Sequence, residues 1–82
     1  MTLGDLIRRH RETLADEAVG IRRSWEDMFR YALRHYPDRT PIDDFDPDGL
    51  ADKLIAEGVN PAFVAGYVKR WRALLADIID QP

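Results

Sequence analysis

Apolar residues recur along most of the chain at alternating steps of three and four, the spacing of one face of an α-helix. The first such stripe starts almost at the N-terminus. Thr2, with Asp5 three residues later, is a typical helix start that combines a capping side chain with an acid near the positive end of the helix dipole. We therefore predict a first helix that ends near Glu17 and whose apolar stripe is Leu3, Leu6, Ile7, His10 and Leu14.

A second stripe follows and is very regular. Gly20 is expected to break the chain between the two helices, and Ser24, with Asp27 three residues on, is expected to cap the second. Pro37 should end that helix, because a proline disfavours helical backbone at the residue before it. The predicted core stripe is Trp25, Met28, Phe29, Ala32, Leu33 and Tyr36.

The segment DFDPDG at residues 44–49 alternates carboxylates before a glycine, as the opening of a calcium-binding EF-hand loop does. Such a loop needs a two-oxygen Glu at its twelfth position, and that position is Ile55. We therefore expect no metal site. Asp46 followed by Pro47 fits a helix start better, with the aspartate as N-cap and the proline at the first helical position.

The helix that Asp46 starts is predicted to be short, to bury Leu50, Leu54 and Ile55, and to end at Gly58. Asn60 and Pro61 repeat the starting device and open a fourth helix. No strand pattern or repeat is present, so the expected fold is an all-α, compact four-helix bundle, a single domain over residues 1–82 with a longer loop near residues 37–45. The fourth apolar stripe is Val64, Tyr67, Val68, Trp71, Leu74, Leu75 and Ile78.

Charge is unevenly distributed along the chain. The 82 residues have a formal net charge of −3, which by itself disfavours nucleic acid as a partner. Four aspartates lie within residues 43–48, however, and their negative charges exceed the net charge of the whole chain. Between Gly58 and Ala76 there are three bases and no acid. We therefore expect one positive face near the C-terminus, with Lys69 and Arg72 opposite the apolar stripe.

The sequence contains no recognisable set of catalytic residues. His10 lies on an apolar stripe and is expected to be a core or boundary residue, His35 is expected to face solvent, and Ser24 is better explained by capping than by nucleophilic attack. There is no zinc spacing, no phosphate-binding glycine loop and no cysteine. Neither a membrane span nor a signal pattern occurs, so the cytoplasm is the default compartment. We expect no catalytic activity in this chain alone and no cofactor.

Basic residues near the predicted helix starts are candidates for phosphate contacts. Arg22 and Arg23 are expected at the N-terminus of the second helix, whose free N–H groups also favour phosphate. In the fourth helix, Asn60 lies in the part that meets base edges when a helix enters a groove. Arg30 and Arg34 fit either a DNA contact or an ordinary solvated face with Glu26, and the sequence leaves this open.

The order of these pieces resembles the N-terminal core-binding (SAM-like) domain of tyrosine recombinases, the phage integrase family. TLGDLIRR (residues 2–9) looks like the first helix of that domain and RSW (residues 23–25) like the entry to its second. PIDDFDPDGLA (residues 41–51) is similar to the segment that starts the third helix of the family, where a Thr-Pro pair replaces Asp46 and Pro47. NPAFV (residues 60–64), continuing to WRALL (residues 71–75), resembles the fourth helix.

This resemblance implies a DNA-binding half-clamp that closes on duplex DNA at the crossover site, with its second and fourth helices on the DNA. Recombination would be catalysed by a separate C-terminal domain, so the chain is expected to be a fragment of a longer integrase, and its other partners would be further recombinase protomers on the DNA. The residues expected to contact DNA are Arg22, Arg23, Ser24, Asn60, Lys69, Arg70 and Arg72.

Two positions depart from the family, which often has Thr and Arg where Phe63 and Gly66 stand here. The alternative function is a helical protein-interaction module without nucleic-acid binding. In that module, the acidic residues 43–48 of one copy would meet the basic fourth helix of another.

Overall fold

The structure, a computed structural model, describes residues 1–79. It contains four α-helices, and the described residues form no β-strand, so the predicted all-α class is confirmed. A short 3₁₀ turn, Ile42–Asp44, lies in the long loop. The helices are α1 (Leu3–Thr13), α2 (Val19–His35), α3 (Pro47–Ala56) and α4 (Pro61–Ile79).

The chain divides into two compact units, an N-terminal unit of Met1–Phe45 and a C-terminal unit that begins at Asp46. The N-terminal unit contains α1, α2 and the 3₁₀ turn, and its buried core consists of Leu3, Leu6, Ile7, Leu14, Met28, Phe29, Ala32 and Phe45. The C-terminal unit contains α3 and α4, and its buried core consists of Leu50, Leu54, Val64, Trp71 and Leu74.

The start of α1 follows the prediction closely. The Asp5 N–H donates to Thr2 Oγ1 and the Thr2 N–H donates to Asp5 Oδ2, each at 3.1 Å, which forms a capping box. The Leu3 N–H donates to the Thr40 carbonyl at 2.8 Å and the Gly4 N–H to the Asp38 carbonyl at 2.7 Å. A Cβ at Gly4 would lie 3.0 Å from the Asp38 carbonyl oxygen, which is a tight contact, so this close approach favours glycine.

The boundary between α1 and α2 was predicted wrongly. The first helix ends at Thr13 rather than near Glu17, and α2 begins at Val19, so Gly20 lies inside α2 instead of before it. The first turn of α2 buries no apolar side chain, since Val19 and Ile21 are exposed. Without a buried stripe, the helical spacing gives no signal there. The predicted end at Pro37 is confirmed, because Tyr36 has extended backbone as the residue before a proline should.

The start and end of α3 match the sequence prediction. Asp46 is the N-cap, its side chain accepts a hydrogen bond from the Asp48 N–H at 3.1 Å, and Pro47 occupies the first helical position. At the end of α3, Gly58 has a φ of 93°, and the N–H groups of Gly58 and Val59 donate to Ile55 and Leu54, each at 3.0 Å. Ile55 is exposed rather than buried, contrary to the prediction.

Candidate nucleic-acid interface

The residues predicted to contact DNA fall on two helices that belong to different units. Arg22, Arg23 and Ser24 are on α2, in the N-terminal unit. Lys69, Arg70 and Arg72 are on α4, and Asn60 immediately precedes it, in the C-terminal unit. Each group is therefore described within its own unit.

Arg22 and Arg23 lie in the second turn of α2, not ahead of the helix as predicted. The Arg22 N–H already donates to the Ala18 carbonyl at 3.0 Å, so the amides available to an anion are those one turn earlier. No side chain caps this end and no acid lies in the first turn, although Asp16 and Glu17 precede it. Both arginines are exposed and form no ion pair with any described residue.

Ser24 does not cap α2, contrary to prediction. It is the sixth residue of the helix and is half-buried, so it lies inside α2 and not at its N-cap. The residue at the N-cap position is Ala18, whose side chain has no hydrogen-bonding group. The local sequence that resembles a capping box at Ser24 and Asp27 is thus an interior turn of the helix.

Three arginines share one side of α2. At 100° per residue, Arg23, Arg30 and Arg34 fall within about 40° of one another around the helix axis and span about 16 Å along it. All three are exposed, and we refer to them as the α2 arginine surface. Asp27 lies among them, 3.4 Å from the Arg30 guanidinium. The sequence left Arg30 and Arg34 open between a DNA contact and a solvated face, and only the helix geometry aligns them with Arg23.

Two contacts affect the charge and the order of this surface. Glu26, the other acid of α2, accepts hydrogen bonds from Arg11 at 2.8 and 2.9 Å, so a base of α1 neutralises it. The Arg34 guanidinium lies 5.3 Å from the centre of the Tyr31 ring, a cation–π distance that helps to hold the side chain. The arginines consequently outnumber the acid that remains beside them.

Asn60 is the N-cap of α4, where its Oδ1 accepts a hydrogen bond from the Ala62 N–H at 2.9 Å. Recognition of adenine by asparagine uses both the carbonyl and the amino group of the side-chain amide. Since capping engages the carbonyl, the amino group is the part of Asn60 that remains to donate to DNA. The predicted position of Asn60 at the start of α4 is correct, but this hydrogen bond limits its reading of bases.

The three bases of α4 lie in three different environments. Lys69 is exposed and forms no ion pair with a described residue, whereas Arg70 is half-buried and already has an interaction. Arg72 is exposed, but its guanidinium lies 2.6 Å from the Asp48 carboxylate at the start of α3. Of the three, Lys69 is thus the cation most accessible to a phosphate.

Lys69 projects from a stretch of small side chains. Its neighbours one turn away on the helix surface include Ala65, Gly66 and Ala73, all exposed, and a Cβ built on Gly66 would meet nothing within 4 Å. Phe63, in the first turn of α4, is 62% exposed and lies outside the core. A flat surface of this kind lets another molecule approach the backbone of α4 closely.

Asp46 and Asp48, of the segment that resembles an EF-hand loop, have structural partners. Asp46 caps α3 and Asp48 pairs with Arg72, and no group of three metal-ligating side chains occurs among residues 1–79. His10 is a half-buried boundary residue as predicted, with its ring 4.3 Å from that of Trp25, whereas His35 is half-buried instead of facing solvent. No helix within the described range is long and apolar enough to cross a membrane.

Comparison of the chain with family models, with curated proteins and with solved structures finds no match in any of the three.

Proposed function

We propose that the chain binds duplex DNA as a core-binding domain of a phage-type tyrosine recombinase, in the cytoplasm. In this proposal it has no catalytic role and needs no cofactor. DNA integration and recombination would be carried out by a catalytic domain on the same parent chain, together with other recombinase protomers. The exposed bases on α2 and α4 support DNA as the ligand, and the resemblance of the helix starts to those of the integrase family supports the kind of domain.

The main support for the proposal is the α2 arginine surface. Duplex DNA presents a phosphate about every 1.7 Å along its axis, so three guanidinium groups spread over about 16 Å meet several phosphates at once. Arginine also binds phosphate through two parallel hydrogen bonds, which fixes orientation as well as adding affinity. Arg22 adds a further exposed base beside this surface.

Helix α4 is also proposed to contact DNA, through Lys69 and the small residues around it. A lysine that contacts phosphate supplies affinity without reading sequence. The absence of bulky side chains at Ala65, Gly66 and Ala73 lets the DNA backbone come close to the helix. Lys69 and these small residues form the proposed contact surface of the C-terminal unit, as the α2 arginine surface does for the N-terminal unit.

Charge-neutralising variants test the proposal. Arg23→Gln combined with Arg30→Gln, and Lys69→Gln separately, should each weaken binding to a 30-base-pair duplex several-fold. They should also flatten the dependence of the logarithm of affinity on the logarithm of salt concentration by about 0.9 for each lost phosphate contact. Arg9→Gln is the control for the loss of one positive charge, because Arg9 is exposed on α1, outside both surfaces. Equal losses per charge removed in all three variants would show a net-charge effect and not a defined interface.

Exposed Phe63 favours a second candidate function, a protein-interaction module in which α4 packs on another copy of the chain. Aromatic residues are enriched at protein interfaces, and Lys69 would then face acidic residues of the second copy, such as Asp43 and Asp44. Sedimentation without DNA separates the two functions. Self-association that Phe63→Ser abolishes supports the interaction module, whereas a monomer at all concentrations rules out self-association through α4.

A further inference from the structure

The Asp48–Arg72 ion pair places an acid of α3 on a base of α4. The distance from Arg72 Nη2 to Asp48 Oδ1 is 2.6 Å, and the residues are 24 positions apart in sequence, so helix packing within the C-terminal unit brings them together. Both side chains are well exposed, at 62% for Arg72 and 67% for Asp48. The pair is thus open to solvent and accessible to a competing anion.

The Asp48–Arg72 pair lies next to the proposed DNA surface of α4. Lys69 and Arg72 are three residues apart, so their side chains are neighbours on the exposed side of α4. A carboxylate and a phosphate oxygen bind the guanidinium group through the same kind of charge-assisted hydrogen bond. Asp48 therefore occupies at Arg72 the place that a DNA phosphate would take next to Lys69.

We propose that Asp48 is an internal competitor of DNA phosphate, which keeps Arg72 neutralised and lowers the affinity of α4 for duplex DNA until a phosphate displaces the carboxylate. This inference rests on the proposed function, because it concerns the regulation of the same surface. Arg72 is accordingly a DNA contact only when Asp48 is removed or displaced. As a result, the chain binds duplex DNA with a lower affinity than its number of basic residues implies.

Removal of the competitor should expose the hidden contact. Asp48→Asn should tighten binding to a fluorescent 30-base-pair duplex about 3- to 10-fold at low salt, with a salt dependence steeper by about 0.9 on logarithmic axes, as one more phosphate contact requires. Asp52→Asn is the matched control. It removes the same charge from the same helix, and Asp52 is exposed without a contact to Arg72. It should tighten binding less than 2-fold.

A double-mutant cycle assigns the gain to Arg72. Arg72→Gln alone should weaken binding only slightly, whereas Arg72→Gln combined with Asp48→Asn should erase the gain of Asp48→Asn. Thermal melting by circular dichroism checks that each variant is folded at the temperature of the titration.

The outcomes separate the inference from the proposed function. Equal gains for Asp48→Asn and Asp52→Asn would overturn the inference and leave DNA binding intact, as would an equal loss from Arg72→Gln in both backgrounds. Failure of the unaltered chain and of every variant to bind the duplex would overturn the proposed function and the inference with it.

Discussion

Two exposed glycines of the C-terminal unit differ in backbone conformation. Gly58 ends α3 with a φ of 93°, a conformation that costs an L-residue free energy, whereas Gly66 lies inside α4 and has no positive φ. Gly58→Ala should therefore lower the free energy of unfolding by about 1 kcal/mol. Gly66→Ala should raise it by up to about 1 kcal/mol, because alanine is the better helix former.

Urea unfolding of the two glycine variants measures both effects, and neither side chain meets a steric obstacle, since nothing lies within 4 Å of either added Cβ. A gain in stability for Gly58→Ala would show that the end of α3 is not in the left-handed conformation. Gly66→Ala has a second use, because it adds a methyl group to the proposed DNA surface without weakening the fold.

The capping box of α1 predicts a pH dependence. The pKa of Asp5 lies below its ordinary value of 3.8, first because the Thr2 N–H donates to the carboxylate, then because of the Thr2 hydroxyl, with a further contribution from Arg8. A lowered pKa in the folded state stabilises the fold above the unfolded value, and this stabilisation is lost as the pH falls through the folded value.

Asp5→Asn should consequently destabilise the protein at neutral pH, and the difference from the unaltered chain should shrink as the pH falls below 3.8. Thermal melting from neutral to acidic pH measures this, with Asp16→Asn as a control for an exposed acid outside the helix. A difference between Asp5→Asn and the unaltered chain that does not change with pH would contradict the role of the ionised carboxylate.

At the scale of elements, the sequence predicts a helix best where its first turn contains a capping residue or buries apolar side chains. Asp46 and Asn60 were recognised as N-caps because each precedes a proline, and both cap in the structure. The start of α2 has neither signal, since Ala18 cannot cap and Val19 is exposed. Ser24 has the stronger local pattern of an N-cap, but it lies inside the helix.

Gly20→Ala tests the revised start of α2. Inside a helix, without a nearby atom to clash, the substitution should raise the free energy of unfolding by up to about 1 kcal/mol and increase the helical circular dichroism signal slightly. If Gly20 instead formed a break between two helices in left-handed backbone, the alanine would destabilise the protein. The sign of the change decides between the two boundaries.

The candidate site shows a similar division between what sequence can and cannot predict. That Lys69 lies opposite the apolar stripe follows from helical spacing alone, and the structure agrees. The neutralisation of Arg72 by Asp48 depends on how α3 packs against α4, which spacing within one helix does not contain. In contrast, the hydrogen bond that the Asn60 side-chain carbonyl accepts follows from the role of Asn60 as N-cap, so the sequence is sufficient to predict that bond.

For the whole molecule, the chain length predicts a single domain, so the two units are expected to unfold together. Each unit contains one of the two tryptophans, Trp25 in the N-terminal unit and Trp71 in the C-terminal unit. In Trp71→Phe, fluorescence reports Trp25 alone, and in Trp25→Phe it reports Trp71 alone. We predict that fluorescence and circular dichroism give the same urea midpoint within each variant.

Separate fluorescence and circular dichroism midpoints within one variant would contradict a single cooperative domain. They would also change the design of the DNA experiments, because each cationic helix would then need to be tested with its own unit folded. Trp71 is buried, so Trp71→Phe is expected to lower overall stability, and only probes within the same variant are compared.

Whether the two cationic helices of this anionic chain bind duplex DNA is measured by titrating the unaltered protein into a fluorescent 30-base-pair duplex of mixed sequence at several salt concentrations. We predict saturable binding with a dissociation constant on the order of 10⁻⁶ to 10⁻⁴ M, and a logarithm of affinity that falls linearly with the logarithm of salt concentration. An absence of saturation at the lowest salt concentration, or an affinity that does not change with salt, would contradict it.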